Sequence, residues 1–379
     1  MKKIIAWILV LTLCFSLVAC GGSGTDVEGT QTEATVEATE VPAEQEETTE
    51  AVEETEAEEP QGPGTIYMYG ESHGVKEYIE KELALWQEHF ANGARHLFLE
   101  DSYFTAYQLN LWMKEQDDAM FDVYFDSNAG TFAGSPFIRE FFMRLKETCP
   151  ETVFHGFDVG HSYESLGSAV LTYLENNGMK DSEAYSLVGE SIEQGKKYYG
   201  TEEVPDEAYR ENQMVENFLR ELATVNGDVM VITGAAHSDV DGNRDNPEMV
   251  PSMASQLVND HGVDIVSQNV YDLVLPKSDT LTIGGKEYAA TYYNEEYIGL
   301  WLPDHVSRAY WHVEDAYEDF KDKPLTGNGL PDNNYPMEIQ QGEVYAIRYT
   351  LSDGSIRMEY LRTDGNVWDG MMLSEEFIP

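Results

Sequence analysis

The sequence predicts an α/β protein: a doubly wound, mostly parallel sheet with flanking helices, followed by a small C-terminal antiparallel β appendage. Short β-rich runs alternate with helix-length amphipathic stretches as far as Tyr271, and that alternation builds a parallel sheet covered on both faces. Beyond Pro276 the texture changes to strand-length runs broken by turn residues such as Gly284-Gly285 and Asp353-Gly354. The composition, 42% hydrophobic and 12% aromatic, suits a globular core.

In chain order, residues 65–69 form the first strand, stopped by Gly70. Residues 75–92 place Tyr78, Leu83, Leu85, Trp86 and Phe90 on a helical stripe and close on Asn92-Gly93. Residues 96–99 are the second strand and 103–114 the second helix, while 117–135 read as irregular. Residues 136–148 form a helix opening on proline, whose missing N–H would be unpaired in the first turn anyway. Strands are expected at 152–157, 228–233 and 264–270, with helices at 182–199, 206–225 and 249–261. Runs at 280–283, 287–293, 344–349 and 356–361 make up the appendage, in which no reactive constellation is visible. The resulting division is 1–20 leader, 21–62 acidic stalk, 63–275 α/β domain and 276–379 β appendage.

The N-terminus reads as an export signal. Lys2 and Lys3 precede an apolar run from Ile4 to Leu13, too short for a bilayer that needs roughly twenty residues. Leu17-Val18-Ala19-Cys20-Gly21 resembles a lipobox, so Cys20 is expected to carry lipid and tether the chain outside the cytoplasm. From Thr25 to Pro60 there is no Lys or Arg, which predicts an extended stalk. With Cys14 and Cys20 assigned to the leader, Cys149 stands alone, which excludes an internal disulfide, a Cys metal site and a Cys redox pair. The formal net charge of −47 excludes electrostatic binding of nucleic acid or anionic lipid. The expected partners are the membrane, through Cys20, and a small-molecule substrate or haem.

Ligands of open parallel sheets bind beyond the carboxyl ends of the strands. Four strands here end in reactive side chains: Glu71 and His73, Glu100 and Asp101, Asp158 and His161, and His237. They predict one acidic, His-bearing pocket built from Glu71, His73, Glu100 and His237. A carboxylate beside an imidazole makes a general base for water. Two His and two carboxylates also match the donor set of Zn, Mn or Fe. Gly70-Glu71-Ser72-His73-Gly74 is formally a nucleophile elbow, with Asp158 and His237 following in order, but the usual source of an oxyanion loop is missing upstream. Residues 239–245 resemble the start of a calcium loop, yet Arg244 and Val250 replace its Gly and Glu.

The ordered series Tyr69-Gly70-Glu71-Ser72-His73-Gly74, Leu97-Phe98-Leu99-Glu100-Asp101, Phe154-His155-Gly156-Phe157-Asp158, Tyr209-Arg210-Glu211 through Glu216-Asn217, and Val231 through His237 resembles the erythromycin esterase-like, ChaN-like and TIKI superfamily. The resemblance covers about residues 64–270. It implies His73 as the base that activates water, Glu71 and Glu100 orienting it or holding metal, and His237 assisting the electrophile or leaving group. It also implies Arg210 and Glu216 facing the pocket. A single residue between Glu71 and His73 is closer to the ChaN-like branch, lipoproteins implicated in haem and iron handling. Three functions follow as expectations: a membrane-anchored hydrolase acting on an ester or amide with or without metal assistance, a haem- or metal-binding lipoprotein without hydrolytic activity, or a metalloprotease of the TIKI kind.

Overall fold

The computed structural model describes residues 62–200, 206–246 and 248–379, and the leader, Cys20 and the acidic stalk lie outside the described residues. Five strands form a wholly parallel sheet: β1 (Pro63–Glu71), β2 (His96–Ser102), β3 (Val153–Asp158), β4 (Gly227–Gly234) and β5 (Ile265–Asn269), in the order β3-β2-β4-β1-β5. Alternate side chains serve opposite faces. Tyr69, Leu97, Leu99, Met230 and Ile232 pack on one side with Trp86, Trp112 and Phe142. Ile66, Met68, Phe98, Val229 and Val231 pack on the other with Met214, Phe218 and Leu257. A parallel sheet needs both faces covered, and this is the doubly wound arrangement the sequence predicts.

The helices that position the site are α1 (Lys76–Ala91), α2 (Tyr103–Trp112), α3 (Ala119–Ser127), α4 (Pro136–Thr148), α5 (Ser168–Asn176), α6 (Glu183–Tyr199) and α7 (Glu207–Leu222). Ser135 caps α4 by accepting from the Ile138 N–H, with Pro136 at the first helical position. The stretch 117–135, expected to be irregular, contains α3 and a short 3₁₀ turn, Phe132–Gly134. Helix α5 was also not expected. Among the described residues no helix is long and apolar enough to cross a membrane.

The C-terminal part is larger than the small appendage expected. It comprises β6 (Lys277–Ile283), β7 (Lys286–Tyr297), β8 (His305–Val313), β9 (Leu325–Pro331), β10 (Val344–Leu351), β11 (Ile356–Arg362), β12 (Val367–Trp368) and β13 (Met371–Phe377). They form an eight-stranded antiparallel sheet with β9 paired to β13. Strand β7 is joined to the turn after β1. Val75 bridges Glu296, and the Tyr297 N–H donates to Gly74 O at 2.8 Å. The Glu77 carboxylate accepts from the Glu295 N–H at 2.9 Å and from the Tyr292 hydroxyl.

Candidate acid–base site at the sheet rim

The carboxyl ends of β1, β2, β3 and β4 bring Glu71, His73, Glu100, Asp158 and His237 together, and α7 adds Arg210 and Glu211. Glu71 ends β1 and accepts from His73 Nδ1 two residues later. Across the rim, the short helix α8 (Ala235–Ser238) follows β4 and presents His237, whose Nδ1 meets Glu211 on α7. Gly234 lies between the two imidazoles. Glu100 Oε2, His73 Nε2 and His237 Cδ2 all fall within 3.5 Å of the point a Cβ on Gly234 would occupy. Any larger residue there would fill the space between the rings.

Glu100 is the electrostatic centre. Its Oε1 accepts from Arg210 Nη2 at 2.7 Å and lies 3.4 Å from His237 Nε2. Its Oε2 accepts from the Thr233 hydroxyl at 2.8 Å and from the Gly234 N–H. Arg210 also forks onto Asp158, at 3.0 Å from Nε and 2.7 Å from Nη2, with only 7% of its side chain exposed. Burial alone would raise the Glu100 pKa, but the charges and hydrogen bonds of His237 and Arg210 outweigh it and hold the carboxyl well below 4.5. Burial likewise opposes protonation of His237. Glu100 and Glu211 overcome it and raise the imidazole well above 6.5.

Beneath the first pair lies Glu82 on α1, 3% exposed. Burial, reinforced by the Glu71 charge and only partly offset by His73, lifts its carboxyl well above 4.5. One oxygen each of Glu71, Glu82 and Glu211 is buried with no hydrogen-bond partner among the described residues.

Of the residues expected from sequence, Glu71, His73, Glu100, His237, Asp158 and Arg210 are gathered here. His161 sits behind Asp158, its ring edge-on to Tyr199 at 5.0 Å, and burial lowers its pKa. Asp101 turns away into the first turn of α2, accepting from the Ser102 N–H at 3.3 Å; burial pushes it up to about 7. Glu216 requires correction: it is exposed and pairs with Gln213. Six residues along a helix of about 3.6 residues per turn place it off the buried face that carries Arg210, and Glu211 takes the inward position instead. Ser72 is exposed, and Glu71 rather than Ser72 occupies His73 Nδ1.

Among the described residues no group of three or more His, Cys, Asp or Glu is arranged to hold an ion. Glu100 is engaged by Arg210, Thr233 and Gly234, and the Nδ1 of each imidazole meets a glutamate. A separate surface depression between α1 and α4, lined by Ile79, Leu83, Phe137 and Phe141 among others, lies apart from these groups.

The rim thus gathers two histidine–glutamate pairs around Glu100 at the carboxyl edge of a parallel α/β sheet. No family model matches the chain, and no curated protein matches it. Solved structures similar to it include an erythromycin esterase mutant in its open conformation, at 12% identity and TM-score 0.39 over 65% of this chain and 82% of that one. A Bacillus cereus protein (12%, TM-score 0.37, 54% of this chain, 65% of that one) and a succinoglycan biosynthesis protein (12%, 0.38, 54%, 64%) are also similar. The chain spans just under two thirds of the length of the latter two. These are remote likenesses, and nothing about the chemistry below rests on them.

Proposed function

We propose that this chain is a hydrolase of an ester or amide, using Glu71–His73 as general base and Glu211–His237 as general acid. The observation that carries the reading is the convergence of two imidazoles on one point beside Gly234, each with its Nδ1 on a glutamate. A carboxylate on Nδ1 fixes the tautomer that leaves Nε2 of His73 as the basic atom. His73 takes a proton from water as the oxygen attacks the carbonyl carbon. His237 is held protonated by Glu100 and Glu211, stabilises the oxyanion, and gives its Nε2 proton to the departing oxygen or nitrogen as the C–O or C–N bond breaks. Its 3.4 Å separation from Glu100 exceeds a charge-assisted hydrogen bond of about 2.7–2.9 Å, so Nε2–H can also serve a second acceptor. The test is turnover of a panel of uncharged esters and amides by the wild type, His73→Ala and His237→Ala. Turnover abolished in both variants supports the assignment, and turnover unaffected in either rejects it.

We also propose that the domain works outside the cytoplasm, tethered through lipid on Cys20. Labelled palmitate should enter the wild-type chain and not Cys20→Ala. Equal labelling of the two would reject the tether.

A further inference from the structure

Besides the β7 contacts at the Gly74 turn, the C-terminal sheet reaches the rim through the loop that follows β7. Between β7 and β8 the chain makes a helical turn in which the Trp301 and Leu302 N–H groups both donate to Ile298 O, at 3.1 and 3.0 Å. That turn holds Trp301 in place with 45% of the residue exposed. Trp301 packs edge-on against Phe132, ring centres 5.6 Å apart, and Phe132 lies 5.9 Å from the His73 ring. Phe132 is seated there because Gly74, at φ 82°, has no Cβ; one would stand 2.6 Å from Phe132 Cδ1. Three rings therefore run outward from the base: His73, Phe132, Trp301.

The charges nearby limit what those rings can receive. The guanidinium of Arg210 is engaged by Glu100 and Asp158, while Glu71 and Glu211 add carboxylates on the same rim. A substrate carboxylate or phosphate would meet these carboxylates, no available guanidinium, and a His237 imidazolium already paired with Glu100 and Glu211, whereas an uncharged ring gains a large aromatic surface. We propose that Trp301 and Phe132 form a ring-binding platform through which the site selects esters or amides bearing an uncharged apolar ring and no anionic group. This deepens the hydrolase reading and rests on it.

The test has two arms. In the first, kcat/KM is measured for ethyl cyclohexanecarboxylate and ethyl acetate. The ratio of the two should favour the ring ester in the wild type, fall about fivefold in Trp301→Ala and be largely restored in Trp301→Phe. In the second, cyclohexylmethanol binding is measured on the base-deficient His73→Ala protein, with and without Trp301→Ala. Binding lost with Trp301 but no turnover by the wild type would retain the platform and reject the hydrolase. A ratio and a binding constant both indifferent to Trp301→Ala would overturn the platform while leaving the hydrolase standing.

Discussion

Glu71 and His73 share one tight turn at the end of β1, whereas Glu211 and His237 meet across the gap between a helix and a strand end. The chemical parts are the same, a carboxylate on the Nδ1 of an imidazole. The settings differ: the His73 side chain is 33% exposed and faces Phe132, while His237 is 11% exposed and also faces the charged Glu100. Anionic neighbours on both ring nitrogens keep a proton on His237. The lesson is that acid and base need not differ in residue type, only in what surrounds them.

The comparison can be broken most sharply at the base. His73→Ala should lower kcat/KM by about 10²–10⁴-fold, the usual range for a general base, and a loss below tenfold would move the base elsewhere. Next in size is the scaffold of the acid. Arg210→Met leaves Glu100 and Asp158 buried without their cation and should cost about 3–5 kcal/mol in urea unfolding, because a broken buried pair strands a charge. A cost near zero would show that these carboxylates take up protons readily.

Smaller effects sharpen the contrast. Glu211 helps raise the His237 pKa, so Glu211→Gln should move the alkaline limb of the kcat/KM profile to lower pH; an unmoved limb assigns it to another group. Stability follows the same groups. The raised His237 contributes fully below pH 6.5 and loses its contribution as pH climbs through its higher folded value. The depressed Glu100 contributes above pH 4.5 and loses its contribution as pH falls through its lower folded value. Tm should thus decline on both sides of that window, and Glu100→Gln should flatten the acid side. The smallest expected effect is that of a chelator, which should leave kcat/KM unchanged; activity lost to chelation and restored by zinc would count against a purely side-chain mechanism.

Much of the parallel sheet was legible because its strands are apolar runs between helices, and reactive residues stood at their ends. Glu71, His73, Glu100, Asp158 and His237 could be placed on one rim by that rule alone. Glu211 was missed, although it continues the buried stripe Val215, Phe218, Leu222 on α7. Glu82 was missed likewise, on the stripe of Ile79, Leu83 and Trp86. An acid on an apolar stripe is a usable signal. Phe132 and Trp301 left no such mark, because neither belongs to a periodic element and their meeting depends on how the second sheet docks. Helix α3 escaped because its nine residues are flanked by Gly- and Asp-rich sequence.

The stitch between β7 and the Gly74 turn makes the second sheet a strut of the first. A chain ending at Leu275 would keep every residue of both imidazole pairs and still lose the hydrogen bond from Tyr297 and the anchoring of Glu77. The turn bearing His73 would then be held from one side only. Any force, partner or substitution that shifts the far sheet is felt at the imidazole proposed to take the proton, which would give the otherwise inert-looking C-terminal part a lever over the reaction.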